Sequence, residues 1–400
     1  MTLKIGLVTG EFPPMEGGVG AFTQELAREL NDQGHEVHII TARQARPAKR
    51  HQSLWDLDEP YELEYGLLHP RVRRWWWGAV NVVADVSVRH KLDVVNVQYQ
   101  AAAFDMHVPA INLLPWRLRT VANSVVTFHD LRVPYLFPKA GKWRSRTVGH
   151  LARASDGVIV TNRADEQALL RRGVSGARME RIPIGSNIKP VARDEAMISA
   201  LRDRLGLKDS DCLVGYFGFV NESKGADLLV RAAAALPRRV HLAFIGGQTG
   251  SSDPSNNEVF LQRLEALILE LGLGNRVHWS GFIPEQDVST YLYACDLMAM
   301  PYRDGASLRR GTLMAILAHG RPLVTTTPGQ DVVELEHGRN LWFVPVEVPS
   351  ALGEAIESLL ADQALRQSIG RQAGYLARAF AWPTIAAQTA EFYQRIAGNP

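Results

Sequence analysis

The sequence is poor in cysteine, in net charge and in long apolar runs. Only Cys212 and Cys295 occur in 400 residues, without CxxC or metal-ligand spacing, so we expect small buried hydrophobic side chains in a reducing cytoplasm. The formal net charge of +2 argues against nucleic acid as a partner. No apolar run approaches the roughly 20 residues that span a bilayer. The N-terminus lacks the apolar core and cleavage site of a signal peptide, so we expect a cytoplasmic protein.

What the sequence has is length and a repeated α/β pattern. A chain of 400 residues, 46% of them apolar, exceeds what one hydrophobic core usually serves, so two domains are expected. Short β-branched runs alternate with amphipathic segments, which is typical of βα units around a parallel sheet. The first half has five candidate strands, at 4–9, 36–41, 93–97, 124–129 and 157–161. The second half has six, at 213–219, 241–246, 277–279, 297–301, 322–325 and 341–344.

Glycine, serine and proline between Pro183 and about Asp211 indicate a domain boundary. We place the domains at 1–195 and 196–375, followed by a terminal segment at 376–400. Apolar residues in that segment recur at helical spacing. The pattern alone leaves open which domain this helix packs against.

A glycine-rich loop follows the first candidate strand and precedes a helical pattern. Glycines there let the backbone approach an anion that the helix N-terminus attracts, so Gly17 and Gly18 are candidate diphosphate contacts. The loop does not match GxGxxG, and no acid ends the second strand, which disfavours an NAD enzyme. The alternative is that the glycines only make a tight turn.

Two polar motifs lie at the ends of later strands. His129 ends a strand, where ligands gather in open α/β sheets, and Asp130 is positioned to orient it. The alternative is a histidine that caps the next turn. Lys224 precedes a helix, where a cation opposes the dipole and so indicates an anionic ligand. The alternative there is an ordinary surface lysine.

Together these motifs resemble the retaining GT-B glycosyltransferases of the large group 1, family 4 type, which use nucleotide-diphosphate sugars. The matching landmarks, in order, are Pro13-Pro14, Gly17-Gly18-Val19-Gly20, Gly34-His-Glu-Val37, Thr127-Phe-His-Asp130, Lys224-Gly225, Asn275-Arg-Val-His-Trp-Ser-Gly-Phe282, Ala294-Cys-Asp296, Pro301, Ala318-His-Gly-Arg-Pro322 and Phe380-Ala-Trp382. They span almost the whole chain. Each is weak alone, but their order is specific.

The resemblance implies two Rossmann-like domains that face each other across a cleft. It implies that the first domain binds the acceptor, that the second binds the nucleotide sugar, and that the terminal helix crosses back to the first. Gly18 would approach the donor diphosphate, His129 would lie near the transferred sugar, and Lys224 would pair with the diphosphate. Retention at the anomeric carbon is implied in the same way.

The chain departs from the family at three charged positions. Phe219 stands where the family usually has a second diphosphate cation, and Ser307 and Ala315 stand where it has two glutamates. The segment instead carries Arg309 and Arg310 at a predicted helix N-terminus, where bidentate phosphate contact suits arginine. We hypothesise that one of them replaces the missing arginine. The alternative is that both pair with acids such as Asp304.

The remaining substrate contacts are assigned to the same segment. Ser307, Leu308, Arg310, Gly311 and Thr312 are the candidate donor-binding residues there, and His129, Lys224 and Arg309 are the candidate catalytic residues. No DxD-like acidic pair offers a divalent-cation site, so we expect hexosyl transfer without a metal or other cofactor. No carboxylate pair supports a glycosidase. An inactive binding protein on the same fold is the alternative.

The nucleotide base, the sugar and the acceptor are not specified by the sequence. A UDP-sugar is the default donor on family frequency. The acceptor is unknown, and a lipid-linked compound and a saccharide are the two classes considered. The stretches 71–77 and 114–119 mix tryptophan with arginine, which suits a peripheral contact with anionic lipid. The alternative is that these tryptophans pack a helix on the sheet while the arginines reach outward.

Overall fold

A computed structural model describes residues 1–15, 17–47, 59–104, 109–131, 142–186, 188–247, 254–330 and 332–398, with backbone only at 142–145, 254–256 and 285. The chain forms two compact units. The first comprises Met1–Gly185 and Trp382–Pro400, and the second comprises Ser186–Ala381. The terminal helix therefore belongs to the first unit.

The first unit is built around an eight-stranded sheet whose order is β3-β4-β2-β1-β5-β6-β7-β8. Only the β3–β4 pair is antiparallel. The strands are β1 (Lys4–Val8), β2 (Glu36–Ala42), β3 (Tyr61–Leu63), β4 (Gly66–Val72), β5 (Val94–Tyr99), β6 (Asn123–Phe128), β7 (Gly157–Val160) and β8 (Met179–Arg181). The central strands are runs of β-branched and apolar residues because helices cover both of their faces.

Helices on each face of this sheet form two apolar cores. The helices of this unit are α1 (Gly18–Asp32), α2 (Ala79–His90), α3 (Leu114–Leu118), α4 (Lys142–Ala154), α5 (Arg163–Arg171) and α13 (Trp382–Ala397). Phe22 and Leu26 of α1 pack with Ile385 and Phe392 of α13 on one face. Because α13 supplies part of this core, it is an integral element of the first unit.

The second unit contains a six-stranded parallel sheet in the order β11-β10-β9-β12-β13-β14. Its strands are β9 (Cys212–Phe217), β10 (Val240–Ile245), β11 (Val277–Trp279), β12 (Leu297–Met300), β13 (Leu323–Thr326) and β14 (Trp342–Val344). Its helices are α6 (Glu195–Arg204), α7 (Ala226–Ala234), α8 (Pro254–Glu270), α9 (Glu285–Ala294), α10 (Gly311–Ala318), α11 (Pro349–Ala361) and α12 (Gln363–Ala377). One continuous apolar core runs through this unit.

Strand order identifies where each sheet can bind a ligand. In the first sheet, the strands that follow β1 in sequence lie on one side of it, and those from β5 onward lie on the other side. The direction of the strand order therefore reverses between β1 and β5. The second sheet reverses between β9 and β12. In open α/β sheets ligands bind outside the carboxyl ends of the strands at such points.

All eleven strands expected from the sequence are present within a residue or two of their predicted ends. Three strands were not predicted, namely the short edge strands β3 and β8 and the inner strand β4. Pro70 interrupts β4, and the β2–β4 pairing shifts register between Ile40 and Ala42, so this stretch lacks an ordinary strand pattern. Among the described helices, none combines the length and apolarity required to cross a bilayer.

Candidate active site

Lys224 is fixed by a short turn after β9. The Oδ1 atom of Asn221 accepts the backbone N–H of Lys224 at 3.1 Å, which closes a single 3-10 turn over Glu222–Lys224. Gly225 follows in the left-handed region, with φ of 69°. A Cβ at Gly225 would come within 2.1 Å of the carbonyl oxygen of Pro301. The lysine turn therefore packs against the end of β12, at the reversal of the second sheet.

The side chains of Lys224 and Thr312 meet above the end of β9. Gly218, the residue after that strand, has φ of 101°. A Cβ built there would lie 2.9 Å from Nζ of Lys224 and 2.6 Å from Cγ2 of Thr312. Both side chains thus occupy the space that glycine leaves, and this places a cation beside the first turn of α10.

Arg310 brings a second cation to the same point. Its guanidinium lies 4.1 Å from the ring centroid of Tyr302, and it is paired with Asp304. The hydroxyl of Tyr302 lies 3.0 Å from Oγ1 of Thr312, which ties the stacked ring to α10. Arg310 itself is the N-cap residue of α10, and no side chain caps that helix end.

The neighbouring residues of the arginine segment are less enclosed. Arg309 is exposed, whereas Arg310 is half-buried. The backbone N–H of Arg309 donates to Oγ of Ser307 at 3.3 Å. Leu308 is half-buried and packs against the core of the second unit. Of the two arginines, Arg310 is therefore the one whose charge is positioned next to Lys224.

The electrostatics of this cluster favour an anion. Burial, and to a lesser extent the adjacent Arg310, lower the pKa of Lys224 to about 8. Two close cations are stabilised by a bound negative charge, which removes their mutual repulsion. The amides of the first turn of α10 add the positive end of the helix dipole. The arrangement suits a phosphate group.

In the first unit, His129 lies buried at the carboxyl end of β6. Its Nε2 atom is 2.9 Å from Oε1 of Gln98 on β5, and Phe22 of α1 meets the ring edge-on at 4.7 Å. Burial lowers the pKa of His129 to about 4, so the imidazole is neutral near pH 7. With Oε1 of Gln98 as acceptor, Nε2 carries the proton and Nδ1 is left as the acceptor atom.

Sequence reasoning missed Gln98. Asp130 was the predicted orienting group for His129, and it is half-buried in the structure, but it is Oε1 of Gln98 that accepts the hydrogen bond from Nε2 of the ring. A signal existed in the sequence, because Asn96 and Gln98 are polar residues in a buried strand. Gln98 lies opposite Thr127, two residues before His129.

The glycine loop contains an anion of its own. The Oε1 atom of Glu11 accepts the backbone N–H groups of Val19 at 3.1 Å and Gly20 at 3.3 Å. A Cβ at Gly17 would lie 2.0 Å from the Glu11 carboxylate, whereas one at Gly18 would meet nothing within 4 Å. Glu11 therefore occupies the N-terminus of α1, and Gly18 is the glycine with open space. Glu16 of this loop lies outside the described residues.

The structure also shows the surroundings of the three positions at which the chain departs from the family pattern. Phe219 is exposed, and its ring lies against Gly247, where a Cβ would be 2.9 Å from the ring. Ala315 is fully buried in α10. Its carbonyl oxygen lies 2.7 Å from Nδ1 of His319. The missing charges are thus replaced by an exposed ring, the turn at Ser307 and a core methyl group.

Two family models match the chain in succession. Glycosyltransferase Family 4 matches residues 16–189, and Glycosyl transferases group 1 matches residues 211–362. These ranges correspond to the two parallel-sheet units. They also contain every residue of the two candidate sites except Glu11 and the strand β1 before it.

Curated relatives and a solved structure agree with this assignment. A D-inositol 3-phosphate glycosyltransferase of Xylanimonas cellulosilytica is 26% identical, over 94% of this chain and 91% of that protein. A GDP-mannose-dependent alpha-(1-6)-phosphatidylinositol monomannoside mannosyltransferase of Mycolicibacterium smegmatis is 25% identical, over 91% of both chains. Anabaena HepE in complex with UDP superposes with a TM-score of 0.70 at 20% identity, covering 97% of this chain and 99% of that one.

The two sheets have the GT-B fold, and the family models and relatives define the class of this enzyme as glycosyltransferase. The chain belongs to the group 1, family 4 glycosyltransferases. The resemblance in fold and family that the ordered motifs implied is therefore confirmed.

Proposed function

We propose that the chain transfers a sugar from a nucleotide-diphosphate sugar whose diphosphate binds in the second unit. The observation that carries this proposal is the meeting of Lys224, Arg310 and Thr312 at the uncapped N-terminus of α10. The cluster lies at the strand-order reversal of its sheet, where ligands of α/β proteins bind. The backbone amides of Gly311 and Thr312 complete the site.

The chemistry follows from the charge that develops during transfer. The bond between the anomeric carbon and the diphosphate oxygen breaks, and its electrons stay with the leaving diphosphate. Lys224, Arg310 and the α10 amides would stabilise that charge before the transition state is reached, because they are already fixed in place. The acceptor hydroxyl then forms the new bond and loses its proton. We propose that this occurs with retention and that the protein's own cations serve in place of a metal.

Arg310 rather than Arg309 takes the role of the missing family arginine in this proposal. Arg310 is half-buried beside Lys224 and stacked on Tyr302, which holds a planar guanidinium in one orientation. Its pairing with Asp304 leaves other N–H groups of the guanidinium for a phosphate oxygen. Arg309, Ser307 and Leu308 would contribute backbone contacts along the same turn.

In the first unit, we propose that His129 contacts the transferred sugar. A neutral imidazole with Nε2 held by Gln98 presents Nδ1 as a hydrogen-bond acceptor for a sugar hydroxyl. Gly18 would approach the diphosphate, although Glu11 already satisfies the amides of Val19 and Gly20. The first unit would bind the acceptor and the second would bind the donor.

UDP-sugars are the first donors to test. HepE, which shares the fold, was solved with UDP, whereas the mannosyltransferase relative is named for GDP-mannose. The two relatives are named for inositol 3-phosphate and for phosphatidylinositol mannoside. Both names contain a phosphorylated inositol, so a phosphate-bearing acceptor is the class that we propose to test first.

The experiment measures nucleotide release by the full chain. UDP, GDP and ADP are compared by thermal shift, and the corresponding sugar donors are then tested for release of the nucleoside diphosphate. Lys224→Ala and Arg310→Ala should each weaken diphosphate binding by at least about tenfold, as expected for loss of a charge-assisted contact. Lys208→Ala, which removes a cation elsewhere in the second unit, is the matched control and should bind normally.

Three outcomes separate the alternatives. Unchanged affinity in both Lys224→Ala and Arg310→Ala would overturn the proposed diphosphate site. Weaker binding in Arg309→Ala, with Arg310→Ala unaffected, would assign the role to Arg309. Tight binding of a diphosphate without release from any sugar donor, in the presence of phosphorylated acceptors, would favour a binding protein over an active transferase.

A second candidate function is contact with an anionic membrane surface through the first unit. Trp76, Trp77 and Trp116 are 48%, 57% and 61% exposed. Arg74 lies 5.8 Å from the ring of Trp76, and Arg119 lies 5.7 Å from the ring of Trp116. Exposed tryptophans with adjacent cations suit the headgroup region of a bilayer.

One neighbouring tryptophan is instead packed inside the first unit. Trp75 is buried and meets Phe104 edge-on at 4.7 Å. The structural and the membrane interpretations thus apply to adjacent residues. We propose that the exposed ones bring the enzyme to a lipid-linked acceptor.

Co-sedimentation with vesicles of phosphatidylcholine and phosphatidylglycerol tests this second function. The double variant Trp76→Ala, Trp77→Ala should lose binding, and Phe282→Ala, which removes an 84% exposed aromatic from the second unit, should keep it. Absence of wild-type binding to anionic vesicles, or equal binding by the tryptophan variant, would remove the membrane contact from the proposal.

A further inference from the structure

Three histidines come together in the first unit, although they are far apart in the sequence. His38 lies on β2, His69 lies on β4, and His90 is the last residue of α2. One ring nitrogen from each lies within 4.8 Å of the other two. The rings of His38 and His90 have centroids 4.5 Å apart, and those of His69 and His90 are 4.8 Å apart. Among the described residues this is the one group with such geometry.

The polar partners of His38 fix which ring nitrogen faces the cluster. Its Nε2 atom lies 2.9 Å from Oε1 of Glu36. Because a carboxylate only accepts, Nε2 carries the proton and Nδ1 has a lone pair. Nδ1 lies 3.0 Å from Nε2 of His69. Lys4 also contacts the Glu36 carboxylate, at 3.0 Å, which keeps that group ionised and oriented.

This arrangement matches the outer sphere of a metal-bound histidine. Metal-ligating histidines donate their second ring N–H to a carboxylate or carbonyl, and this orients the ring and strengthens the ligand. Glu36 and His38 already stand in that relation. Imidazole nitrogens are the preferred ligands of Zn²⁺ and similar ions.

We propose that His38 Nδ1, His69 Nε2 and one ring nitrogen of His90 bind a divalent transition-metal ion of the Zn²⁺ type. With metal–nitrogen bonds of roughly 2.0–2.1 Å, tetrahedral ligand atoms lie about 3.3 Å apart. His38 and His69 already approach this separation. His90 closes the remaining gap by a small movement of a side chain at the end of a helix.

Proton balance is satisfied without another reactant. When the metal binds, the proton that joins Nε2 of His69 to Nδ1 of His38 is exchanged for one on Nδ1 of His69, so that both rings remain neutral ligands. His38 and His69 are fully buried, but His90 is half-buried and Glu36 is exposed. The ion therefore has access from the Glu36 and His90 side, where water fills the fourth position.

A second histidine pair in the same chain serves as a comparison for the cluster of three histidines. In the second unit, Nδ1 of His241 lies 3.0 Å from Nε2 of His278, and Nε2 of His241 lies 3.8 Å from a carboxylate oxygen of Asp211. Within the part of the chain that the structure describes, a hydrogen-bonded pair of histidines next to a carboxylate is thus present without a third imidazole. This pair supplies an internal control.

The bound ion would connect the C-terminus of α2 to two strands of the first sheet. Metal binding to the folded state alone stabilises that state by an amount that rises with the logarithm of the free metal concentration once this exceeds Kd. The proposal therefore predicts a metal-dependent thermal transition for the first unit, and it does not depend on the transfer reaction or on the diphosphate site.

The test uses the full chain, freed of metal with a chelator. Zn²⁺ should bind with a stoichiometry of one per chain by elemental analysis after gel filtration, and Co²⁺ should give the intense visible bands of a tetrahedral site. His90→Ala, which leaves both buried histidines in place, should lower Zn²⁺ affinity on the order of 100-fold, and Glu36→Gln should lower it roughly 10-fold to 100-fold. His278→Gln is the matched control and should bind like the wild type.

Each remaining outcome overturns the proposal. Wild-type protein that retains less than one Zn²⁺ per chain after equilibration, or that gives only the weak bands of octahedral Co²⁺, does not contain this site. Equal Zn²⁺ affinity in wild type and His90→Ala would place the metal elsewhere. If His278→Gln lost the ion instead, the second unit would hold it. The melting temperature of metal-free His90→Ala, compared with metal-free wild type, separates loss of ligand from loss of fold.

Discussion

The carboxylate of Glu11 accepts the backbone N–H of Val19 at 3.1 Å and so places a negative charge at the N-terminus of α1. An acid in this position is stabilised by the helix dipole and satisfies amides that have no partner within the helix. Glu11→Gln should therefore lower the free energy of unfolding by about 0.5–1 kcal/mol. Urea unfolding near pH 7 measures this change.

The control for Glu11 makes the same charge change at the other end of the helix. Asp32 is the last residue of α1 and is exposed, so its charge opposes the dipole. Asp32→Asn should leave stability unchanged or raise it slightly. If both variants lost equal stability, the position of the charge on α1 would not be the cause.

The central strands and the family could be predicted because their signals are local. Strands such as β7 and β12 are continuous apolar runs, since both faces are covered. The motif containing Lys224 and the motif containing Arg310 each place a cation against a helix dipole, which is unusual without an anion.

The contacts that could not be predicted join residues that are distant along the chain. Gln98 contacts His129 across neighbouring strands, and His38 meets His69 at a separation of 31 residues. Glu11 was overlooked for another reason. The glycine loop predicted an anion at the N-terminus of α1, and the chain itself supplies one, which no spacing rule for ligand-binding loops identifies.

Gly218 tests whether the space above β9 is required for the diphosphate site. Gly218→Ala would place a methyl group against Lys224 and Thr312, at a residue with φ of 101°. We expect the free energy of unfolding to fall by about 1–3 kcal/mol, from strain and the forced shift. UDP affinity should fall by about tenfold because Lys224 is displaced. Isothermal titration and urea unfolding give the two numbers.

A second glycine with positive φ, at which an added Cβ would contact no other atom, separates the effect of backbone strain from the displacement of Lys224. Gly272 has φ of 65°, and an added Cβ meets nothing within 4 Å. Gly272→Ala should lose about 1 kcal/mol of stability and keep normal UDP affinity. Loss of affinity in both variants would show that strain anywhere in the second unit suffices.

Gln98 is predicted to act as a positioning residue for His129. Gln98→Leu removes the acceptor of the Nε2–H group and leaves it buried without a partner. We expect kcat to fall by about tenfold or more while UDP affinity stays unchanged, because the proposed diphosphate site lies in the second unit. Steady-state kinetics and titration measure the two effects separately.

Gln98→Glu gives the matching pH test. A carboxylate beside the ring favours the imidazolium, so it should raise the pKa of His129 from its value of about 4. If the neutral ring is the active form, transfer by Gln98→Glu should be lost at a higher pH than transfer by the wild type as pH falls. An unchanged acid limb in the rate profile would show that His129 does not act through its protonation state.

Lys224 gives the enzyme a predicted pH dependence on the alkaline side. Burial and then Arg310 lower the pKa of Lys224 to about 8 in the free protein. If the ammonium form of Lys224 binds the diphosphate as proposed, affinity is highest below this pKa and falls as pH rises through it. Between pH 7 and pH 9 the charged fraction drops by about tenfold, and UDP affinity should fall by about the same factor.

The substitution Lys224→Arg separates this titration from other alkaline effects. Arginine remains charged throughout the range, so UDP affinity of the variant should be nearly constant from pH 7 to pH 9, even if it is weaker at pH 7. Isothermal titration at fixed ionic strength gives the comparison. If wild type and Lys224→Arg lost affinity in parallel, a different group would control the alkaline limb, and Lys224 would not be the cation that the diphosphate requires.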